Sequence, residues 1–396
     1  VIAHREEIRT RMARFVALSA GDDATAFFAS DLTRDHLREV VRLFIAAEPA
    51  PYLVPFQRLG TGLVNLLVFA LLTFIADLKG KHSVIFAMEE PEIALPPYTQ
   101  RRVSRFVLSE MGQAIMTSHS PYVIEQLEPE QIVVLDRQGT GQLTSHTVTL
   151  GGIKAKKYRQ ERRQLAEAVL SRAVLVVEGA TEAALFPVAS EVMENCLGSD
   201  YVHFDLAGVS ILNAGGDNAV PQFGPFFSAL GKLSFAFYDK QKSPLSADAT
   251  SKLTAYTQVW ESSEKGIENL LVKETPVAVL RRFLETSKDR SDYPTAVGSF
   301  TATMEDDEVR DLARKVLEAR KGDGHSYGAL LISECSDICE LPTTIRTILE
   351  TINNELQPKP LPQGEPDNTD DTEAGGCWNK TQAAAATPVL PEDSPA

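Results

Sequence analysis

Residues 173–187 read AVLVVEGATEAALFP. A run of apolar residues with three valines makes a short strand buried on both faces, and Glu178-Gly179 ends it before an alanine-rich helix begins. Glu182 falls one turn into that helix, so the carboxylates of Glu178 and Glu182 can face one cation. Downstream, a strand at 209–212 leads to the Gly215-Gly216 turn and a helix to Leu230. A second strand, LSFAFY (233–238), ends in Asp239. Such alternation predicts a mainly parallel sheet with helices on its faces and functional residues at the C-terminal strand ends. Beyond Lys252 the pattern predicts a strand, AYTQVW (255–260), and several helices, including 307–320.

Upstream, the chain is helical in pattern to about Ala47, and the proline cluster EPAPYLVP (48–55) ends it. Leu59-Gly60-Thr61-Gly62 then opens LVNLLVFALLTFIA (63–76). That run is shorter than the ~20 residues of a membrane span and reads as a buried helix. SVIFAM (83–88) reads as a buried strand followed by Glu89-Glu90-Pro91-Glu92. A helix with Arg101, Arg102 and Arg105 precedes the strand 114–117, which ends at Ser118-His119-Ser120-Pro121. Strand-like runs at 132–135 and 143–148 close a first α/β unit near Leu150. The basic segment KAKKYRQERR (154–163) reads equally as a solvated linker helix or as a segment in which Lys154, Lys156, Lys157, Arg159, Arg162 and Arg163 contact phosphates. The chain contains no internal repeat.

The 396 residues are 43% hydrophobic and 23% charged, which suits a chain that buries a real core. The net charge of −15 excludes any wholly basic nucleic-acid coat, so contact with nucleic acid needs local patches or metal ions. From Glu355 onward eight acids and two lysines carry −6 of that total, in a segment rich in Pro, Gly, Asp, Ala and Thr whose composition predicts disorder. The four cysteines, Cys196, Cys335, Cys339 and Cys377, suit a reducing, cytoplasmic setting. No secretory leader pattern is present, and the opening at Val1 inside an Arg-rich helical pattern predicts an excerpt from a longer protein.

A strand ending in paired carboxylates, VIFAMEEPE, supplies what nucleotide hydrolysis needs: one acid near Mg²⁺ and one to orient water. Its order after RLGTGLVNLL and before the Ser-His-Ser-Pro string resembles ABC-type ATPases of the RecF and OLD (overcoming lysogenization defect) kind. The resemblance implies a signature loop at Gly60, Thr61 and Gly62, a Walker B acid at Glu89, a catalytic glutamate at Glu90 and a switch histidine at His119. No G-x-x-x-x-G-K-[ST] phosphate loop occurs in the chain, so ATP binding is expected only of a full-length parent.

The stretch 173–187 resembles the Toprim domain of topoisomerases, primases and OLD nucleases. That resemblance implies metal ligands at Glu178, Glu182 and Asp239. Asp239-Lys240-Gln241 departs from the Toprim D-x-D pattern, because Gln offers a neutral oxygen where an acid is expected. Glu268 in SSEKGIENLL is the expected replacement, with Asp205 and Asp217 less convincing. In ARKGDGHSYGALL, Lys321 matches the OLD catalytic lysine, and His325 is a poorer match. Each has an ordinary structural alternative: a helix-start acid for Glu268 and a helix-end lysine for Lys321.

The expected architecture is therefore α/β: part of an ABC-type ATPase with N-terminal helices (1–150), a basic linker (151–172), and a Toprim (parallel-sheet, Rossmann-like) nuclease domain with added helices (173–345). A tail (355–396) completes it. The tandem resembles OLD-family nucleases. It implies endonucleolytic hydrolysis of duplex DNA with two divalent cations, Mg²⁺ or Mn²⁺, with Glu178 and Lys321 catalytic. A phage-defence or repair role, homodimerisation, a neighbouring helicase and no membrane partner follow from the same resemblance. A non-catalytic chromosome-maintenance ATPase with a vestigial Toprim unit, and a primase-like enzyme, are the competing classes.

Overall fold

The computed structural model describes residues 2–15, 25–29, 41–46, 52–80, 84–137, 141–321 and 327–357. His325, Cys377 and the predicted tail from residue 358 on lie outside the described residues, while Glu355 and Leu356, expected to begin that tail, end a helix. Helix α1 (Ile2–Met12) is followed by an antiparallel sheet of β1 (Thr25–Ala29), β2 (Val41–Ile45) and β3 (Val54–Pro55). The expectation of helix through Ala47 is thus corrected: TAFFA and VRLFI are rich in aromatic and β-branched residues, which fit a pleated surface better than a helix.

Helix α2 (Thr61–Lys79) buries Leu66, Leu67, Phe69, Ala70, Thr73 and Ala76, while Val68, Leu72, Ile75 and Leu78 stay exposed. At 19 residues it is long and apolar enough, by length and composition, to cross a membrane. The sequence reading of 63–76 as a buried helix too short for a span is corrected, because the helix extends to 19 residues and buries one face only. Its inner face packs with Ile8, Met12, Val103 and Val107, and Phe15, Phe69 and Phe106 meet edge to face at 5.0–5.6 Å.

Strands β4 (Ile85–Glu89) and β5 (Gln113–Thr117) pair in parallel, joined by α3 (Pro97–Glu110). The strand at 83–88 is not buried as expected: Phe86 is inside, but Ile85, like Ile115 on β5, is about two-thirds exposed because among the described residues only these two strands pair here.

The α2 N-terminus shows why Gly62 is glycine: a Cβ there would collide with the Ala94 carbonyl oxygen, whereas Gly60 faces open space. Gly62→Ala is expected to destabilise by about 1–3 kcal/mol, and Gly60→Ala by about 0.5 kcal/mol or less. Urea unfolding checks this, and equal costs at the two positions would overturn the close-approach account.

Helix α4 (Pro121–Ile124) precedes an antiparallel hairpin of β6 (Val133–Arg137) and β7 (Leu143–Thr147). Next come α5 (Ala155–Gln160) and α6 (Arg162–Leu170). The segment read as a linker is therefore folded against its neighbours. Leu165, Ala166, Ala168 and Val169 are buried in one core with Ile124, Ile132 and Val148 from upstream and Val174 and Val176 from downstream.

The central sheet contains β8 (Ala173–Val177), β9 (Val209–Asn213), β10 (Leu233–Tyr238) and β11 (Gln258–Glu261), all parallel in the order β11-β10-β8-β9. The predicted strand at 255–260 begins later, because residues 252–256 turn back on α10 (Ala247–Leu253). Between the strands run α7 (Ala180–Leu197), α8 (Phe204–Ala207) and α9 (Val220–Ala229).

Every residue of β8 has zero exposure, as an apolar strand covered on both sides requires. Val174 and Val176 face the core that includes Phe223, Phe226 and Phe227. Leu175 and Val177 face the opposite core, with Phe186, Phe235 and Phe237. That second core is extended by α11 (Ile267–Glu274), α12 (Val277–Ser287), α13 (Asp306–Ala319), α14 (Tyr327–Ser333) and α15 (Thr343–Leu356). Each fully buried Leu, Val or Phe contributes about 1.5–3 kcal/mol, which makes this sheet a rigid support for whatever its edge carries.

Candidate functional site

The chain enters the central sheet at β8, moves to β9 on one side, and returns across to β10 on the other. The topological switch point therefore lies between β8 and β10, and parallel strands leave a crevice there beyond their C-terminal ends. Glu178 follows β8 and Asp239 follows β10, and the Asp239 backbone N–H donates to Glu178 Oε2 at 3.0 Å.

Glu182, on the first turn of α7, is 5% exposed. Gly179 lets it fold back, since a Cβ at that position would stand 3.0 Å from Glu182 Oε2. Burial first, then the charges of Asp239, Glu178 and Glu268, raise the Glu182 pKa to about 7. Burial and the Glu178 carboxylate likewise raise Asp239 to about 6, while Lys321 and the Gly266 backbone N–H oppose the rise.

Glu268 begins α11 and is 3% exposed, so it is a pocket residue and not a solvated helix-start acid. Lys321, just past α13, donates from Nζ to Glu268 Oε2 at 3.0 Å. The carboxylates of Glu268, Asp239 and Glu182 outweigh the desolvation of this ammonium and hold its pKa above the ordinary value. Five residues from four segments of the chain thus converge on one pocket: Glu178 and Glu182 from the β8–α7 turn, and Asp239, Glu268 and Lys321.

Two acceptors in that pocket, Asp239 Oδ1 and Glu268 Oε1, are buried without a hydrogen-bond partner. Orphaned carboxylate oxygens in an all-oxygen donor set fit a hard divalent cation. Among the described residues, however, no three acids or histidines close into a ready-made cage. Lys321 and the Asp239 N–H occupy Glu268 Oε2 and Glu178 Oε2.

Gln241 does not take the place of the missing acid. Its side-chain amide donates to the Asp239 carbonyl oxygen at 2.8 Å, and its backbone N–H is held by Glu261 Oε1 at 2.9 Å. Asp205 precedes β9 and so lies at the opposite edge of the sheet, and Asp217 is engaged by the Asn218 backbone N–H at 2.6 Å. Gly266 was not singled out from the sequence. Its φ of +85° and the contact its Cβ would make with Glu268 Oε2 are tertiary properties, with no local signal beyond the Lys-Gly pair itself.

The basic segment lies beside the β9 edge. The Lys157 ammonium stands 3.0 Å from where a Cβ of Gly215 would be and pairs with Glu161 at 3.1 Å. Arg162 pairs with Glu128 at 2.5 Å and Arg163 lies over the Tyr122 ring. Lys154, Lys156 and Arg159 are exposed.

In the N-terminal half, Glu89 ends β4 and Glu90 follows in a left-handed conformation with φ of +42°. The Glu90 N–H donates to the Thr117 carbonyl at 3.1 Å, which draws the two strand ends together. His119 is 85% exposed on its side chain, with Nε2 3.8 Å from Glu90 Oε1. Glu92, unremarked in the sequence, holds this turn by accepting from Ser118 Oγ and the His119 N–H, each at 2.8 Å. Gly60 caps α2, Thr61 opens it, and the Asn65 side chain donates to the Ile93 carbonyl, so the predicted signature turn sits against the acidic turn.

Comparison with protein families assigns residues 52–124 to the AAA ATPase domain and residues 169–240 to the TOPRIM domain of overcoming lysogenization defect protein-like proteins. Comparison with curated proteins gives no match. Among solved structures, the C-terminal region of the Burkholderia pseudomallei OLD protein is 17% identical. That alignment covers 47% of this chain and 98% of that one, with a TM-score of 0.31. The corresponding Xanthomonas campestris pv. campestris region is 16% identical over 48% and 96% of the two chains, with a TM-score of 0.32. An SMC ATPase structure is 14% identical over 41% and 94%, with a TM-score of 0.29. The two domain matches place an AAA-type ATPase segment ahead of a Toprim segment in an α/β chain. Their order is consistent with an OLD-family protein. Toprim domains generally bind divalent metals, in line with the acidic pocket found here.

Proposed function

We propose that this chain is a metal-dependent DNA endonuclease, the catalytic part of an ATP-regulated OLD-family protein acting in phage defence or DNA repair. The observation that carries the reading is the convergence of four carboxylates and Lys321 at the switch point of the sheet, with Asp239 Oδ1 and Glu268 Oε1 left without partners. Residues 1–150 are read as the ATPase part and 173–345 as the nuclease part.

Glu178, Glu182, Asp239 and Glu268 would hold the cations, two of Mg²⁺ or Mn²⁺ on this reading. Bound there, such ions supply Lewis-acid stabilisation and a water activated at neutral pH. Glu178 fixes the Asp239 backbone, and Gly179 and Gly266 turn Glu182 and Glu268 into the pocket. Lys321 sits where its ammonium can leave Glu268 for a scissile phosphate and neutralise charge as it develops. The exposed cations of 154–163 offer contacts to the DNA backbone. The preferred substrate is duplex DNA, with a homodimer as the working state and a neighbouring helicase as a possible companion protein in the cell. ATP hydrolysis is not assigned to this chain alone, which has no phosphate loop in its sequence.

The test is supercoiled plasmid incubated with the folded protein and Mn²⁺, with and without EDTA. Conversion to nicked or linear DNA that EDTA stops is expected, and intact plasmid under both conditions defeats the proposal. Gln241 favours one second reading, a scaffold whose Toprim unit is vestigial, because its amide is spent on the Asp239 carbonyl and adds no charge to the pocket. Intact plasmid together with Mn²⁺-independent DNA binding is the outcome that reading expects.

A further inference from the structure

Beside the acidic pocket, the loop after β10 and the loop between β11 and α11 run side by side. The Lys240 N–H donates to the Glu264 carbonyl at 3.2 Å, and the Gln241 N–H donates to Glu261 Oε1 at 2.9 Å. This lacing sets Lys242 and Lys265 on adjacent loops, each next to a laced residue, with the charge of Lys242 bearing on Lys265. Both are exposed, and the charge of Lys265 also faces that of Lys321 in the pocket.

Asp239 and Glu268 each keep one unpartnered oxygen buried in the pocket, and the other acids on these loops are engaged. Glu264 pairs with Lys273 at 2.5 Å, Glu261 holds the Gln241 backbone, and Glu268 holds Lys321. Against Lys242, the Lys265 ammonium is destabilised and its pKa lies below the ordinary value. Two ammonium groups carried on loops that are laced together repel each other, and an anion between them relieves that repulsion. A phosphate gains from both charges at once. In the segment 154–163, by contrast, Lys157 and Arg162 have carboxylate partners, while Lys154, Lys156 and Arg159 stand exposed.

We infer that Lys242 and Lys265 form a phosphate-binding subsite on the rim of the acidic pocket, which takes a backbone phosphate of the DNA strand next to the one being cut. The inference rests on the nuclease reading for the identity of its ligand, and it adds residues that the motifs did not mark.

The experiment measures binding of a short fluorescein-labelled DNA duplex to the full chain in EDTA, across a salt series. The double variant Lys242→Gln/Lys265→Gln is expected to bind about 10-fold more weakly at low salt. Its slope of log affinity against log salt should be smaller by about 1–2. The Lys242→Arg/Lys265→Arg variant should keep both the affinity and the slope. Lys273→Gln removes a neighbouring surface charge and should change binding much less. Wild-type affinity and slope in the double Gln variant overturn the subsite, as does an equal loss in Lys273→Gln or no binding by the wild type. Because EDTA removes cleavage from the measurement, the two readings fail separately. Lysine-dependent binding without Mn²⁺-dependent nicking defeats only the nuclease reading. Nicking with unaltered binding in the double variant defeats only the subsite.

Discussion

Glu178→Gln is expected to abolish Mn²⁺-dependent plasmid nicking, with a rate loss of at least ~10³-fold, equivalent to about 4 kcal/mol of transition-state stabilisation. Glu178 leaves the first strand of the central sheet at its switch point and binds the Asp239 N–H. Gln has the same shape and retains an oxygen for that hydrogen bond, so the variant removes charge while leaving the local structure in place. Its circular dichroism and melting temperature should therefore match those of the parent. A folded variant that nicks at the parental rate would falsify the placement of catalysis at this pocket. Loss of nicking together with loss of fold is resolved by the conservative Glu178→Asp, which is expected to stay folded and recover part of the activity.

The second large effect is on stability as a function of pH. Glu182 has an ordinary carboxylate pKa in the unfolded chain and about 7 in the fold, raised chiefly by burial. The folded protein therefore holds this proton more tightly than the unfolded chain does. The contribution of Glu182 to stability is fully present below pH ~4.5 and is lost as pH rises through about 7. For a shift of this size the loss is on the order of 3 kcal/mol between those limits. Asp239, raised to about 6, adds a change of the same sign over a lower window. A divalent cation favours the ionised carboxylates, so stabilisation by Mn²⁺ should grow from pH 5 to pH 8. Urea midpoints measured without metal should fall over that range, and Glu182→Gln should flatten the fall. An undiminished slope in Glu182→Gln would move the titrating group elsewhere.

Much of the central sheet was legible because a strand buried on both faces leaves an unbroken apolar run, as AVLVV and LSFAFY do. Both predicted strand bounds match those observed, and the acids that follow them mark the C-terminal edge. The N-terminal region was less legible. Thr25–Ala29 and Val41–Ile45 lie in a polar setting whose spacing resembled a helix, and pairing between distant segments decided them. The hairpin at 133–147 was read into the first unit. Its flanking residues Ile132 and Val148 instead complete the core on one face of the central sheet.

The acid positions show the same division. Glu178, Glu182 and Asp239 stand out locally, since each sits within a turn of a strand end. Glu268 and Lys321 lie 53 residues apart and could each have been an ordinary helix-end charge. Their 3.0 Å contact, and the 3% exposure of Glu268, exist only once α11 and α13 pack beside the sheet. Gln241 stands in the sequence where the Toprim pattern has an acid, and only the fold shows its amide donating to the Asp239 carbonyl.

The sequence by itself determined the parallel α/β plan and the edge on which the acids would lie, because apolar periodicity and strand-end residues are local properties. It also determined that the charge of −15 leaves DNA only local patches to meet. Tertiary structure alone decided which acids share a pocket, which oxygens stay unpartnered, and where cations cluster beside it. Those are properties of distance between chain segments, set by loop lacing and helix packing, and no window of neighbouring residues contains them.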